Sequence, residues 1–231
     1  MNFLYDFHIH SALSPCADND MSPANIVATA SAVGLEIIAI SDHNAIKNVD
    51  NTMKYGEMLG VTVVPGIEVQ TNEDVHVLCL FKTLADLERF YREIDFSNIP
   101  NRPDIFGEQL IFDEEDEVVG YEPTMLINSA NVSETDLYDL ANKHNGIAVP
   151  AHIDRDSYGM LAVLGGIPDE YKVVEISADG NSQDLYMHVD GKRVITDSDA
   201  HTLGDIGKKR SLIDIPECTA DALINYLKGI F

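Results

Sequence analysis

The most constraining feature of this chain is a rhythm: short apolar runs recur along it, most of them run straight into a histidine or a carboxylate, and most are followed by helix signals. Phe3-Leu4-Tyr5 leads into Asp6-Phe7-His8-Ile9-His10, and Leu35 to Ile40 leads into Ser41-Asp42-His43-Asn44. Val61 to Val64 leads into Pro65-Gly66-Ile67-Glu68, Gly146 to Pro150 into Ala151-His152, and Arg193 to Thr196 into Asp197-Ser198-Asp199-Ala200-His201. Asp74 to Phe81, Tyr171 to Ser177 and Ser211 to Ile215 read as further strands. Between them lie helix signals. Ser22-Pro23 is an N-cap followed by proline at the first helical position, with Gly34 as the stop; Gly60 ends a second helix. Ser133-Glu134-Thr135-Asp136 resembles a capping box, with Gly146 after its helix. A short helix is expected over Ser182 to Val189, and a last one after Thr219.

Strands that alternate with helices imply a parallel sheet, open or closed into a barrel, with its ligand at the C-terminal ends of the strands. The unusual polar residues fall there. On a strand, side chains alternate faces, so Asp6, His8 and His10 are expected to point the same way. Residues 82–133 break the rhythm with a helix over Ala85 to Ile94, the stretch Asn98 to Pro103, and the acidic run Asp113 to Glu117 before a turn or hairpin. They read as an insertion or lid within one domain spanning 1–231.

The 231 residues hold 39 acidic against 15 basic side chains, a formal charge of −24. That balance argues against wrapping a long nucleic-acid backbone, but not against a small anion held where metal ions supply positive field. Three widely spaced cysteines, Cys16, Cys79 and Cys218, suggest no disulfide framework, and no signal peptide or membrane span is visible. A cytoplasmic setting is expected.

Six of the eight histidines, His8, His10, His43, His76, His152 and His201, lie at or near strand ends, whereas His144 and His188 do not. With Glu68 and Asp199 they form a nitrogen and oxygen ligand set suited to Zn, Mn or Fe rather than Mg or Ca. A carboxylate such as Glu68 can bridge two ions, and paired ions are a recurrent device for hydrolysing phosphate esters.

His8-Ile9-His10-Ser11, Ser41-Asp42-His43-Asn44, Gly66-Ile67-Glu68-Val69, His152 and Asp199-Ala200-His201, in this order over nearly the whole chain, resemble the motif set of the PHP (polymerase and histidinol phosphatase) superfamily. The resemblance implies an α/β fold, a distorted (β/α)7 barrel, with two or three divalent transition-metal ions at one mouth and phosphoesterase activity. It implies one metal site from His8, His10, Glu68 and Asp199, and a second from Glu68, His76 and His152. His43 and His201 would complete a third site or face the phosphate; Cys16 falls where the family places a further ligand, with Asp18 as the alternative.

Arg155 is expected to clamp phosphate, with Lys208, Lys209 and Arg210 as secondary candidates that equally suit a solvated surface. Asp42 is expected to steady a ligand histidine, and His43 or His201 to protonate a leaving group. The expected function is hydrolysis of a small phosphomonoester (a sugar, nucleotide or amino-alcohol phosphate) by a metal-bound hydroxide. A nuclease-type phosphodiesterase, a hydrolase of non-phosphate bonds and a non-catalytic metal-binding module are the alternatives.

Overall fold

A computed structural model describes residues 1–180 and 185–230. In chain order the elements are β1 (Asn2–Ile9), α1 (Pro23–Val33), β2 (Ile37–Ile40), α2 (Val49–Leu59), β3 (Thr62–Gln70), β4 (His76–Leu80), α3 (Leu84–Tyr91), α4 (Pro103–Phe106), β5 (Leu110–Phe112) and β6 (Val118–Tyr121). Then come α5 (Glu134–Lys143), β7 (Ile147–Pro150), α6 (Met160–Leu164), β8 (Val173–Ser177), α7 (Tyr186–Val189), β9 (Arg193–Asp197), β10 (Ser211–Asp214) and α8 (Ala220–Leu227). Of the helix expected over Ser182 to Val189, residues 182–184 lie outside the described residues. Among the described residues, no helix is long and apolar enough to cross a membrane.

The helix ends follow local chemistry. The Ser22 hydroxyl accepts from the Asn25 backbone N–H at the start of α1, and Gly34 closes that helix at φ +83°. Thr83, Ser133 and Thr219 cap α3, α5 and α8 in the same way.

Six strands form one curled sheet in the order β10-β1-β2-β3-β4-β7, and β8 and β9 form a parallel pair. That pair packs between β7 and β1. Backbone bonds from His10 to Ala200 (2.9 Å) and from Ala200 to His8 (3.1 Å) close the ring, giving the expected distorted barrel of seven strands. β10 lies outside the ring, antiparallel on the first half of β1. The lower interior is filled by Phe7, Ile37, Ala39, Val64, Leu78 and Ile195 and plugged by Leu223, Ile224 and Leu227 of α8.

Two departures from the expected geometry shape the mouth. The sheet is parallel along β1, β2 and β3, but β4 runs antiparallel to both β3 and β7. β3 serves two partners: Thr62 to Pro65 pair with β2, and Gly66 to Gln70 pair with β4. A side chain at Gly66 would meet the Ile40 carbonyl oxygen at 2.8 Å, so only glycine fits this changeover.

The second departure is in β1. Its register against β2 shifts between Asp6 and Ile9, with one extra residue on β1. Such a bulge breaks strict alternation. Tyr5 and Phe7 face the interior, Ile9 faces the outer helices, and His8 and His10 both reach the mouth. The expectation that Asp6 shares their face is therefore corrected. Asp6 instead accepts backbone N–H bonds from Ser198 (3.0 Å) and Gly207 (2.9 Å).

Residues 82–133 dock against the loops after β1 and β2. Leu110 N–H donates to the Ala12 carbonyl (2.8 Å), and Asn44 Nδ2 donates to the carbonyls of Leu126 and Asn128 (both 2.8 Å). The acidic run makes the β5–β6 turn, where the Asp113 carboxylate accepts from the Glu115 and Glu117 N–H groups. Asp116 of the same run accepts from Ser22 Oγ and Ala24 N–H at the start of α1.

Candidate metal centre

Six imidazoles gather at the mouth around two carboxylates. His8 and His10 arrive from the end of β1, His43 from the loop after β2, Glu68 from β3, His152 from the loop after β7, and Asp199 and His201 from the loop after β9. His76 is the first residue of β4. Because β4 runs against its neighbours, its N-terminal end lies at the mouth where the others have their C-terminal ends.

Glu68 is fully buried at the middle. Its Oε1 lies 3.0 Å from His76 Nδ1, 3.2 Å from His152 Nε2 and 3.4 Å from His8 Nε2; its Oε2 lies 2.9 Å from His43 Nδ1 and 3.5 Å from His10 Nε2. Asp199 Oδ1 lies 3.0 Å from His10 Nε2 and 3.2 Å from His8 Nε2. The two Nε2 atoms of His8 and His10 face each other at 3.1 Å. Three groups have ligand atoms within 4.8 Å of one another: His8-His10-Glu68, His43-Glu68-His76 and His10-His43-His201. His152 and Asp199 flank these groups.

The residues fit divalent ions. Glu68 Oε2 and His76 Nδ1 are buried without a hydrogen-bond partner, although each has an opposing atom within about 3 Å. Atoms so close yet so poorly angled for hydrogen bonds are aimed at shared points between them. Leaving such groups unpaired in a dry interior is costly. Nitrogen and oxygen donors suit Zn, Mn or Fe.

The outer contacts fix which nitrogen of each ring faces inward. His8 Nδ1 donates to the buried Glu175 carboxylate (2.9 Å), which turns Nε2 toward the cluster. Ser14 Oγ donates to Asp42 (2.7 Å), so it accepts from His10 Nδ1 (3.0 Å) and the His43 N–H (3.1 Å). Asp42 thus touches no imidazole side chain in this network. It is enclosed by Ser11 and Ser14, and its influence on His10 passes through the Ser14 hydroxyl.

The charges balance locally. Burial alone would lower every imidazole, yet Glu175, Asp199 and Glu68 hold His8 well above its usual value. His43 is also raised, its burial outweighed by Glu68 and the neighbouring Cys16. His10 goes the other way, lowered by burial and by the nearby His201 and His43. Burial lowers His76 despite Glu68. Burial pushes Glu68 and Asp199 up, but the surrounding imidazoles hold both well below the carboxylate range.

Strain collects at the same mouth. Asn44, His152, Tyr158 and Asp199 all have positive φ, at +48°, +29°, +60° and +51°. Non-glycine residues hold such angles only where the surroundings over-determine them, as functional sites often do.

The other expected site residues divide. Arg155 lines the mouth cavity of about 280 Å³, and its guanidinium lies 2.5 Å from Asp199 Oδ2. Cys16 is exposed beside His201 and His43; burial of its sulfur raises the thiol, but bonds to those rings bring it down to about 7. Cys16 joins none of the three tight groups, and neither does Asp18, whose side chain is exposed. Lys208 and Lys209 are exposed and absent from the cavity lining; Lys208 pairs with Asp179 at 3.1 Å. Glu175, Ser14 and Tyr158 were not anticipated. A carboxylate inside the apolar strand Tyr171 to Ser177 was the available signal for Glu175; nothing in the sequence distinguishes Tyr158 from other loop tyrosines.

A family model of the PHP domain matches residues 6–155. A 5'-3' exoribonuclease of Haemophilus influenzae is 32% identical over 79 residues, which are 33% of this chain and 28% of that protein. The lesion-specific endonuclease PfuEndoQ of Pyrococcus furiosus shares the fold with a TM-score of 0.70 at 18% identity, over 100% of this chain and 57% of that one. Endonuclease Q in complex with a 27-mer duplex bearing an abasic lesion gives a TM-score of 0.73 at 19% identity. A Bacteroides vulgatus two-domain protein containing a predicted PHP-like metal-dependent phosphoesterase gives 0.62 at 16%, over 100% of this chain and 63% of that one. The chain therefore spans less than two thirds of each of these relatives.

These findings overturn the expected partner, a small phosphorylated molecule with long nucleic acid unlikely, because the same fold holds duplex DNA at its active site in endonuclease Q. Net charge does not decide between these partners, because it is summed over the whole surface, while a phosphate meets only the local field at the mouth. With its ligand motifs gathered at one mouth and the family match spanning more than half its length, the chain belongs to the PHP domain family.

Proposed function

We propose that this chain is a metal-dependent nuclease that hydrolyses phosphodiester bonds of nucleic acid at the barrel mouth. The observation that carries this reading is the buried Glu68 carboxylate, with an orphaned oxygen, in contact with five imidazoles in a chain similar to an exoribonuclease. His8, His10, Glu68 and Asp199 would hold one ion, and Glu68, His76 and His152 a second. His43 and His201, with Cys16 beside them, would hold a third. Zn, Mn or Fe bound there would supply Lewis-acid polarisation of a phosphoryl group and a lowered pKa for water.

The chain's own residues do the rest. Arg155, already drawn to Asp199, grips a phosphoryl oxygen at the rim of the cavity. Glu175 and Ser14 bind the outward nitrogens of His8 and His10, so that in the neutral ring the proton lies outward and the inward nitrogen is the lone-pair donor. His201 has the most exposed side chain of the six imidazoles that pair with the central carboxylates, and its Nδ1 faces the Asp199 carbonyl at 2.8 Å. With only two ions bound, its other nitrogen would be free to protonate a departing oxygen; with the third ion bound, that nitrogen would be a ligand instead. Residues 82–133 brace the loops that carry His10 and His43, within a single domain.

The test is metal analysis of the purified chain together with hydrolysis of end-labelled RNA and DNA oligonucleotides. His8→Ala and Glu68→Ala should lose bound metal and drop turnover about 1000-fold, the scale expected when metal-assisted chemistry is removed. Full activity in either variant would refute the assignment. Cys16→Ser with unchanged metal content would remove Cys16 from the third site.

A further inference from the structure

Tyr158 has no part in the ligand set, yet it is held over the mouth against its own backbone preference. Its φ is +60°, a left-handed angle that a bulky residue rarely adopts. Two contacts and a tight turn maintain it. Its carbonyl accepts the His76 backbone N–H at 3.0 Å. Its ring stacks on the His76 ring, with centroids 4.5 Å apart and planes within 15°. The turn is closed by Gly159, where a side chain would strike the Arg155 carbonyl oxygen at 2.4 Å.

One face of the phenol ring is thus occupied by His76, while the residue remains 44% exposed, so its opposite face is open. Tyr158 lines the same cavity as Arg155 and Ser157. A fixed cation and a fixed aromatic plane, three residues apart in one braced turn, match the two parts of a nucleotide: an anionic phosphate and a flat base. Aromatic planes bind bases of any sequence, because every base has a π face.

We propose that Tyr158 is a base-stacking platform that seats the nucleobase next to the phosphate under attack, with Arg155 as the neighbouring phosphate contact. This rests on the nuclease reading and adds the part of the substrate that the metal centre does not recognise. A substrate without bases gains nothing from the platform.

The experiment compares a short oligothymidylate with an oligomer of the same length made of abasic residues, using the metal-loaded full chain. Tyr158→Leu should raise KM for oligothymidylate about 10-fold, the scale of one lost base–aromatic stack, with kcat and metal content unchanged. Tyr158→Phe should restore the wild-type value, since the plane and not the hydroxyl is used. Neither variant should alter KM for the abasic oligomer. Tyr158→Trp should lower KM for oligothymidylate only, which decides the matter if the leucine variant fails to fold. Equal shifts on both oligomers, or none on either, would overturn the platform while leaving the nuclease reading intact. If the wild-type chain cleaves RNA alone, oligouridylate and its abasic counterpart replace these oligomers; a wild-type chain that cleaves no oligonucleotide, RNA or DNA, would remove both readings.

Discussion

At the scale of single residues, the mouth is a balance between protons and metal ions. In the metal-free protein, His8 and His43 have raised values, so the stability they add is full below the usual histidine value and lost as pH rises through their folded values. Glu68 and Asp199 have depressed values, so their contribution is full above the usual carboxylate value and lost as pH falls through their folded values. The lowered His10 and His76 act the other way, losing stability as pH falls below the usual histidine value, so the metal-free protein should have its highest Tm at about pH 6.5 and lose stability on both sides. Divalent ions need unprotonated imidazoles, so loading should move the maximum above about pH 7. Paired thermal melts across pH, with and without chelator, check both statements; coincident curves would contradict them. Glu175→Gln keeps an acceptor for His8 Nδ1–H but removes the charge behind it. Metal affinity should fall roughly 10- to 100-fold, measured by competition with a chromogenic chelator, with the fold unchanged by circular dichroism.

At the scale of elements, the site depends on two irregularities that put side chains where regular strands would not. The bulge in β1 turns both Phe7 and His8 inward, one into the core and one into the mouth. The changeover at Pro65-Gly66 lets β3 leave β2 and pair with the reversed β4, which brings the start of β4, and His76, to the mouth. Gly66→Ala would drive a methyl group against the Ile40 carbonyl oxygen and Leu80 Cδ2, at 2.8 and 3.0 Å. The expected cost is about 1–3 kcal/mol of stability, as for other overpacked interiors, read by denaturant unfolding. Loss of metal affinity should accompany it, because Glu68 lies two residues downstream. The capping signals at Ser22, Ser133 and Thr219 were legible because a cap is made by neighbours in sequence. The bulge and the reversed strand were not, because each is defined by pairing with residues tens of positions away.

At the scale of the whole molecule, the −24 charge and the proposed nucleic-acid substrate are reconciled by how few phosphates the mouth can touch. Arg155 is the one cationic side chain lining the cavity among the described residues, and Lys208 and Lys209 stand away from it. The salt dependence of oligonucleotide binding should therefore be shallow, with a log–log slope of about −1, as for one or two phosphate contacts on a single strand. A slope several times steeper, from KM titrations in potassium chloride, would mean a basic track that the cavity does not contain.

The sequence by itself determined the order of the barrel strands and of the longer helices, though not the short α4 and α6, together with capped helix ends and the identity of the imidazoles and carboxylates at the mouth, since strand ends and caps are written in local residue patterns. Only the tertiary structure decided which nitrogen of each ring faces inward, that Asp42 acts through Ser14, that Asp6 turns away and that Tyr158 lies flat on His76. Those outcomes depend on strand register, on a reversed strand and on a strained turn, and each is settled by contacts between segments that the chain brings together only when the barrel closes.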